Sequence, residues 1–187
     1  MPKAYGFGGA SLFISRKKLK FFAKRGKVTA ANEIKEVDQV EVINMLLNIK
    51  SYIRKAQVAE LFSYAVFPDD KSIEQAVQAY ESNDAWQLYG YEDGELLVGM
   101  IGYEKSGDDL IVHHISVIPE NRGLGYGRGM ILEAMTKEKP KRVIAETDEE
   151  AVDFYRNIGF IVQSLGERYP GTERFRCVYE VDEAEEE

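Results

Sequence analysis

The sequence predicts a mixed α/β domain, and three observations carry that reading. Helix-like and strand-like apolar periodicities interleave from residue 51 to residue 181. Glu92-Asp93-Gly94 separates two strand-like runs, a strong hairpin signal. A strand-like run over residues 110–118 leads into Gly123, Gly125, Gly127 and Gly129, and then into a helical pattern through Met130, Ile131, Leu132, Ala134 and Met135. At 187 residues the chain suits one domain with a sizeable core, and 44% hydrophobic with 30% charged residues is ordinary for a globular protein. The single Cys177 excludes an intramolecular disulfide, and no Cys/His set has structural-zinc spacing, so no metal is expected. Residues 3–14 lack the layout of a signal peptide, and no apolar stretch is long enough to span a bilayer. The expected location is the cytoplasm, with no membrane partner.

Charge divides the chain. Residues 1–30 carry eight Lys or Arg and no acid, whereas the rest holds 16 basic and 32 acidic side chains. Phe13, Phe21 and Phe22 sit among the basic residues, a pattern that can contact nucleic acid or a membrane surface. A solvated arm is the favoured reading, and a nucleic-acid partner is disfavoured. Asp38 and Glu41 form a D-x-x-E variant of the capping box, after which Val40, Ile43, Leu46 and Leu47 line one face of a helix to about residue 49. That face must be buried on the core or at a subunit interface, which opens the option of a homodimer. The expected organisation is a helical extension over 1–49, a main α/β domain over 50–182 and an acidic tail over 183–187.

Within the core the elements follow in order. Residues 51–55 read as a first strand, and 58–66 and 71–80 as helices punctuated at Pro68. Strands over 86–91 and 95–103 form the hairpin, a turn over 105–109 follows, and 110–118 is the central strand. A helix over 127–137, a strand over 142–146, a short helix from Ala151 and two further strands complete the chain, the last over 173–181. Gly159 is placed to end the short helix in left-handed geometry.

The glycine run suits an anion. Residues without Cβ let the backbone bend sharply and bring N–H groups against a phosphate, and the following helix N-terminus adds unpaired donors. Arg122 and Arg128 bring full charges. The run fits neither G-x-G-x-x-G nor G-x-x-x-x-G-K-[ST], but Arg122, Gly125 and Gly127 fit R-x-x-G-x-G. Alone, this leaves a phosphate cradle and a glycine-rich turn both open. A second segment, Ala151-Val152-Asp153-Phe154-Tyr155-Arg156-Asn157-Ile158-Gly159-Phe160, lies one helix and one strand downstream. Together the two resemble the paired signatures of the GNAT (Gcn5-related N-acetyltransferase) superfamily, over roughly residues 51–182.

That resemblance implies the GNAT fold, a mixed and mostly antiparallel sheet flanked by helices. It implies transfer of an acetyl group from acetyl-CoA, as cosubstrate, to a primary amine of a small molecule, with a protein amine or a non-catalytic CoA-binding domain as alternatives. Arg122, Gly123, Leu124, Gly125, Tyr126, Gly127 and Arg128 would grip the CoA pyrophosphate. The backbone of Ile115, Ser116 and Val117 would pair with the pantetheine arm, the Val117 N–H meeting the acetyl carbonyl. Tyr155 matches the tyrosine that protonates the departing thiolate, a role a phenol with a pKa near ~10 can fill at neutral pH. Asp148 stands where relatives often carry an Asn that touches the cofactor arm.

The base has two candidates, and the resemblance also allows a relay of waters with no dedicated base. Alternation along the central strand puts His113 and His114 on opposite faces, His113 sharing that of Ile115, where some relatives place a catalytic His or Glu. Neutral imidazole could take the amine's proton directly or through water. Glu146, at the end of the next strand, is the reserve. The acceptor is not legible, although Tyr169-Pro170-Gly171-Thr172-Glu173-Arg174-Phe175 reads as a loop bordering the acceptor pocket in this fold.

Overall fold

In the computed structural model of the chain, residues 46–93 and 96–181 are described. The basic arm, Asp38, Val40, Glu41, Ile43, Gly94 and the acidic tail lie outside them. The first strand is not where the sequence placed it. β1 is Leu46–Asn48, and residues 50–52, expected in a strand, form a 3₁₀ turn (Lys50–Tyr52). Leu46 and Leu47 therefore lie in an edge strand rather than on a helix face, and Ile49 behind them is only 1% exposed. Apolar spacing over so few residues fits a helix and a strand equally, and tertiary pairing decides. β1 pairs antiparallel with residues 89–91, and the Leu46 N–H donates to Glu133 Oε2 at 3.1 Å. The sheet thus begins inside the stretch assigned to the extension, and the described residues form one compact unit.

Two helices follow, α1 (Ala56–Ser63) and α2 (Asp70–Ser82). Asp69 caps α2, its Oδ1 accepting from the Ser72 N–H at 2.8 Å, which holds its carboxyl below the usual range. β2 (Trp86–Asp93) and β3 (Leu96–Ser106) form the expected hairpin, followed by β4 (Asp109–Val117). A 3₁₀ turn over Pro119–Asn121 leads into the glycine loop and α3 (Tyr126–Glu138). β5 (Arg142–Asp148), α4 (Val152–Asn157), β6 (Ile161–Tyr169) and β7 (Thr172–Glu180) complete the order. The stretch 169–175, read as a loop, is the tip of the β6–β7 hairpin, with Thr172 onward already in β7.

The described strands form one sheet in the order β1-β2-β3-β4-β5-β7-β6, antiparallel except for β4 against β5. One face carries α3 and α4 over Val98, Ile101, Tyr103, Val112, Ala145 and Cys177. The other carries α1 and α2 over Leu88 and Met100. Gly102 lies under α2, where an added Cβ would fall 1.8 Å from the Tyr80 hydroxyl. This is the mixed, mostly antiparallel α/β sheet that the sequence implied.

Two irregularities in β4 position the site. Opposite β3 the register slips, Gly102 facing His114 and Tyr103 facing Val112, so that His113 is an extra residue in a β-bulge. Opposite β5, pairing runs only from Asp109–Arg142 to Val112–Ala145. Beyond that point β4 continues to Val117 and β5 to Asp148 without pairing to each other, which leaves a wedge-shaped gap between two parallel strands.

Candidate active site

The gap is lined by backbone. The Ile118 N–H bonds Val98 across the β3–β4 ladder. Hydrogen-bonded and non-hydrogen-bonded pairs alternate along an antiparallel ladder, so Ser116 is tied to Met100 while Ile115 and Val117 turn their N–H and C=O groups toward the gap. Ser116 therefore parts from its expected neighbours. Its backbone is committed to β3, and its buried Oγ donates to the Leu61 carbonyl at 2.8 Å.

The glycine loop lies past the open end of the gap. Gly123 (φ 74°) and Gly125 (φ 93°) are both in the left-handed region, where an L side chain is strained. Gly125 caps α3, whose first turn closes with Gly129 N–H to the Gly125 carbonyl at 2.9 Å and leaves the preceding N–H groups without helical partners. Arg122 is anchored beside them, its Nε donating to the Val117 carbonyl at 3.0 Å. Leu124 is exposed, and the Tyr126 hydroxyl donates to Asp93 Oδ2 at 2.6 Å. Gly127 has a packing reason as well: a Cβ there would meet the Phe154 ring at 3.0 Å, so glycine lets α3 and α4 approach. Arg128 is on the exposed side of α3. Donors, a left-handed bend and a cation converge here, and these residues fit a pyrophosphate.

Tyr155 lies in the buried cluster on the α3–α4 face of the sheet. It is 4% exposed, its ring set between Phe154 and Phe160, and burial pushes its phenol well above the usual value. The hydroxyl makes no hydrogen bond to any described residue. Gly159 (φ 99°) ends α4 as expected, with the Phe160 N–H returning to the Tyr155 carbonyl at 3.0 Å.

The histidines depart from expectation. The bulge interrupts the alternation, so both turn to the α1–α2 face, away from Ile115. His114 Nδ1 meets the Tyr80 hydroxyl at 2.9 Å, and burial lowers its pKa to about 4. His113 stacks on Trp86 with ring centroids 3.7 Å apart. Its Nε2 is 3.5 Å from Glu104 Oε1, and burial, partly opposed by that carboxylate, lowers its pKa. Glu146 is exposed on the same face, opposite Arg176. Asp148 accepts from the Glu150 N–H at 3.1 Å and pairs with Arg174 at 3.8 Å. Trp86, Tyr80 and Glu104 were missed by sequence reading. The one tryptophan of the chain, two strand lengths from a His pair, was the available signal.

Among the described residues no cluster of three or more His, Cys, Asp or Glu could hold a metal, and no helix is long and apolar enough to cross a membrane. Residues 84–162 match the acetyltransferase (GNAT) domain family. The chain is 30% identical over 88 residues, 46% of its length and 73% of the relative's, to an "uncharacterized N-acetyltransferase in lysA 3′ region" of Bacillus methanolicus. Its fold is similar to a spermidine N-acetyltransferase chimera from Vibrio cholerae and hSSAT (TM-score 0.58, 18% identity, covering 72% of this chain and 93% of that one). It is also similar to an aminoglycoside 6′-N-acetyltransferase complexed with coenzyme A (TM-score 0.56, 16% identity, covering 68% and 91%). The glycine loop, the parted strands and these matches agree: the chain belongs to the GNAT family and is an N-acetyltransferase.

Proposed function

We propose that the protein transfers an acetyl group from acetyl-CoA directly to the primary amine of a small molecule. The observation that carries this reading is the arrangement around the β4–β5 gap. Ile115 and Val117 offer backbone groups to the gap, Tyr155 belongs to one face of the sheet, and His113 and Glu146 belong to the other. A thioester held along the gap by the Ile115 and Val117 backbone would present its sulfur to Tyr155 and its carbonyl carbon to an amine from the opposite face. Holding both reactants in line supplies much of the acceleration, because the thioester is already activated.

The steps balance. The amine nitrogen forms its bond to the acetyl carbon while its N–H proton passes to His113. The C–S bond breaks, and the Tyr155 hydroxyl gives its proton to the sulfur. Glu146 is the reserve acceptor of the amine proton. Two structural relatives carry small amines in their names, spermidine and an aminoglycoside, which supports a small-molecule acceptor over a protein one. The test is a panel of polyamines, aminoglycosides, arylalkylamines and peptides incubated with acetyl-CoA, with release of free thiol followed. Turnover with a small amine is the expected result. Turnover confined to peptides would replace this reading with protein acetylation.

A further inference from the structure

His113 Nε2 is the one buried side-chain nitrogen or oxygen among the described residues with no hydrogen-bond partner. Such an atom is costly to bury unless something uses it. The imidazole side chain is 18% exposed, yet Nε2 itself meets no solvent, so the exposed edge of the ring is the one away from Nε2. The group facing Nε2 is Glu104, on β3 next to the bulge, with Oε1 at 3.5 Å. Trp86, directly opposite Glu104 in the β2–β3 ladder, stacks on the imidazole with an interplanar angle of 18°. One partner thus fixes the plane of the ring and the other faces a single nitrogen.

We propose that Glu104 is a positioning residue that holds the His113 imidazole as its Nε2–H tautomer, leaving the Nδ1 lone pair to take the acceptor amine's proton. This rests on the reading of His113 as the base. The bulge is what makes the arrangement available: in a regular strand His113 and His114 would face opposite ways, and one of them would lie away from Glu104. At 3.5 Å the Nε2–Glu104 contact is longer than a formed hydrogen bond. When Nδ1 takes a proton the ring becomes cationic, and the carboxylate draws Nε2–H in, stabilising the charge that develops during the reaction. The contact shortens as the charge appears.

Other charged or titratable groups share this face of the sheet. His114 is adjacent on β4 and is bonded to Tyr80 of α2, while Glu146 of β5 and Arg176 of β7 lie on the same face of the sheet. Glu104 is the carboxylate that contacts His113.

The test uses the full-length protein. Long-range ¹H–¹⁵N spectra of the histidines need no substrate and report both tautomer and titration. The wild type should show His113 as Nε2–H. In Glu104→Gln the tautomers should mix and the ring should titrate at lower pH, because the carboxylate's attraction for the imidazolium is lost. With an accepted amine, E104Q should lower kcat by about tenfold or more and move the acid limb of kcat/KM to lower pH, leaving the KM for acetyl-CoA unchanged. Glu104→Asp should recover part of the loss. His113→Gln should cost at least as much as E104Q. A wild-type tautomer, titration and kcat in E104Q beside a crippled H113Q would overturn the role of Glu104 alone. Full activity in H113Q would overturn the base assignment, and the proposal with it.

Discussion

The Tyr80 hydroxyl meets His114 Nδ1 at 2.9 Å directly above Gly102, which has no side chain to block it. Three elements converge at this point: α2 supplies the tyrosine, β3 the space and β4 the histidine. Gly102→Ala would place a methyl group 1.8 Å from the hydroxyl and force Tyr80 out of its buried seat. Its expected cost is about 1–3 kcal/mol or more. Tyr80→Phe keeps the packing but leaves a buried ring nitrogen unpaired, for about 1–3 kcal/mol. Urea denaturation of both variants checks the pair, and a wild-type midpoint in G102A would contradict the close approach.

His114 also predicts how stability responds to pH. Its pKa falls from 6.5 toward about 4 on folding. Between those values the unfolded chain binds a proton that the folded one refuses, so stability declines as pH drops from about 6.5 to about 4. The loss is on the order of 3 kcal/mol at most. Urea midpoints measured across this range should show the slope, and His114→Gln should flatten it.

Arg122→Ala and Gly125→Val should each weaken coenzyme A binding. The first removes a cation anchored beside the α3 N-terminus, and the second forces a β-branched residue toward φ 93°. Calorimetry with coenzyme A measures both, and unchanged affinity in the two variants would remove the pyrophosphate reading.

Tyr155→Phe separates chemistry from packing. The hydroxyl has no described partner to lose, so denaturation midpoints and coenzyme A affinity should stay close to wild type. Turnover should fall by roughly 10²–10⁴ for a lost general acid. Stopped-flow turnover with an acceptor that makes chemistry rate-limiting decides it.

Ile49→Ala tests where the folded domain begins. The residue is 1% exposed, and its N–H bonds the Leu88 carbonyl at 3.0 Å. Truncation should cost about 2–5 kcal/mol. A neutral effect would return residues 46–49 to a dispensable extension.

Much of the site was legible as local sequence. The glycine run, the Tyr155 helix ending at Gly159 and the hairpin through residues 92–94 are each built from neighbours in the chain. Their physics is short-range: left-handed φ at Gly125 and Gly159, helical spacing through Tyr155, and unpaired N–H groups at the start of α3. The first strand was misplaced because Leu46, Leu47 and Ile49 satisfy two periodicities, and only pairing with residues 89–91 separates them.

By itself the sequence determined the order of elements from α1 onward, which follows from residue types at fixed spacing, and carried the resemblance to the family through two short motifs. The tertiary structure alone decided which way the chemistry faces. Alternation assigned His113 to the face of Ile115, whereas the slip between Gly102 and Tyr103 turned it to the other side, against Trp86 and Glu104. A bulge is a property of two strands in register, not of either strand alone. It appears only when β4 pairs with Gly102 and Tyr103 of β3, about ten residues away in the chain.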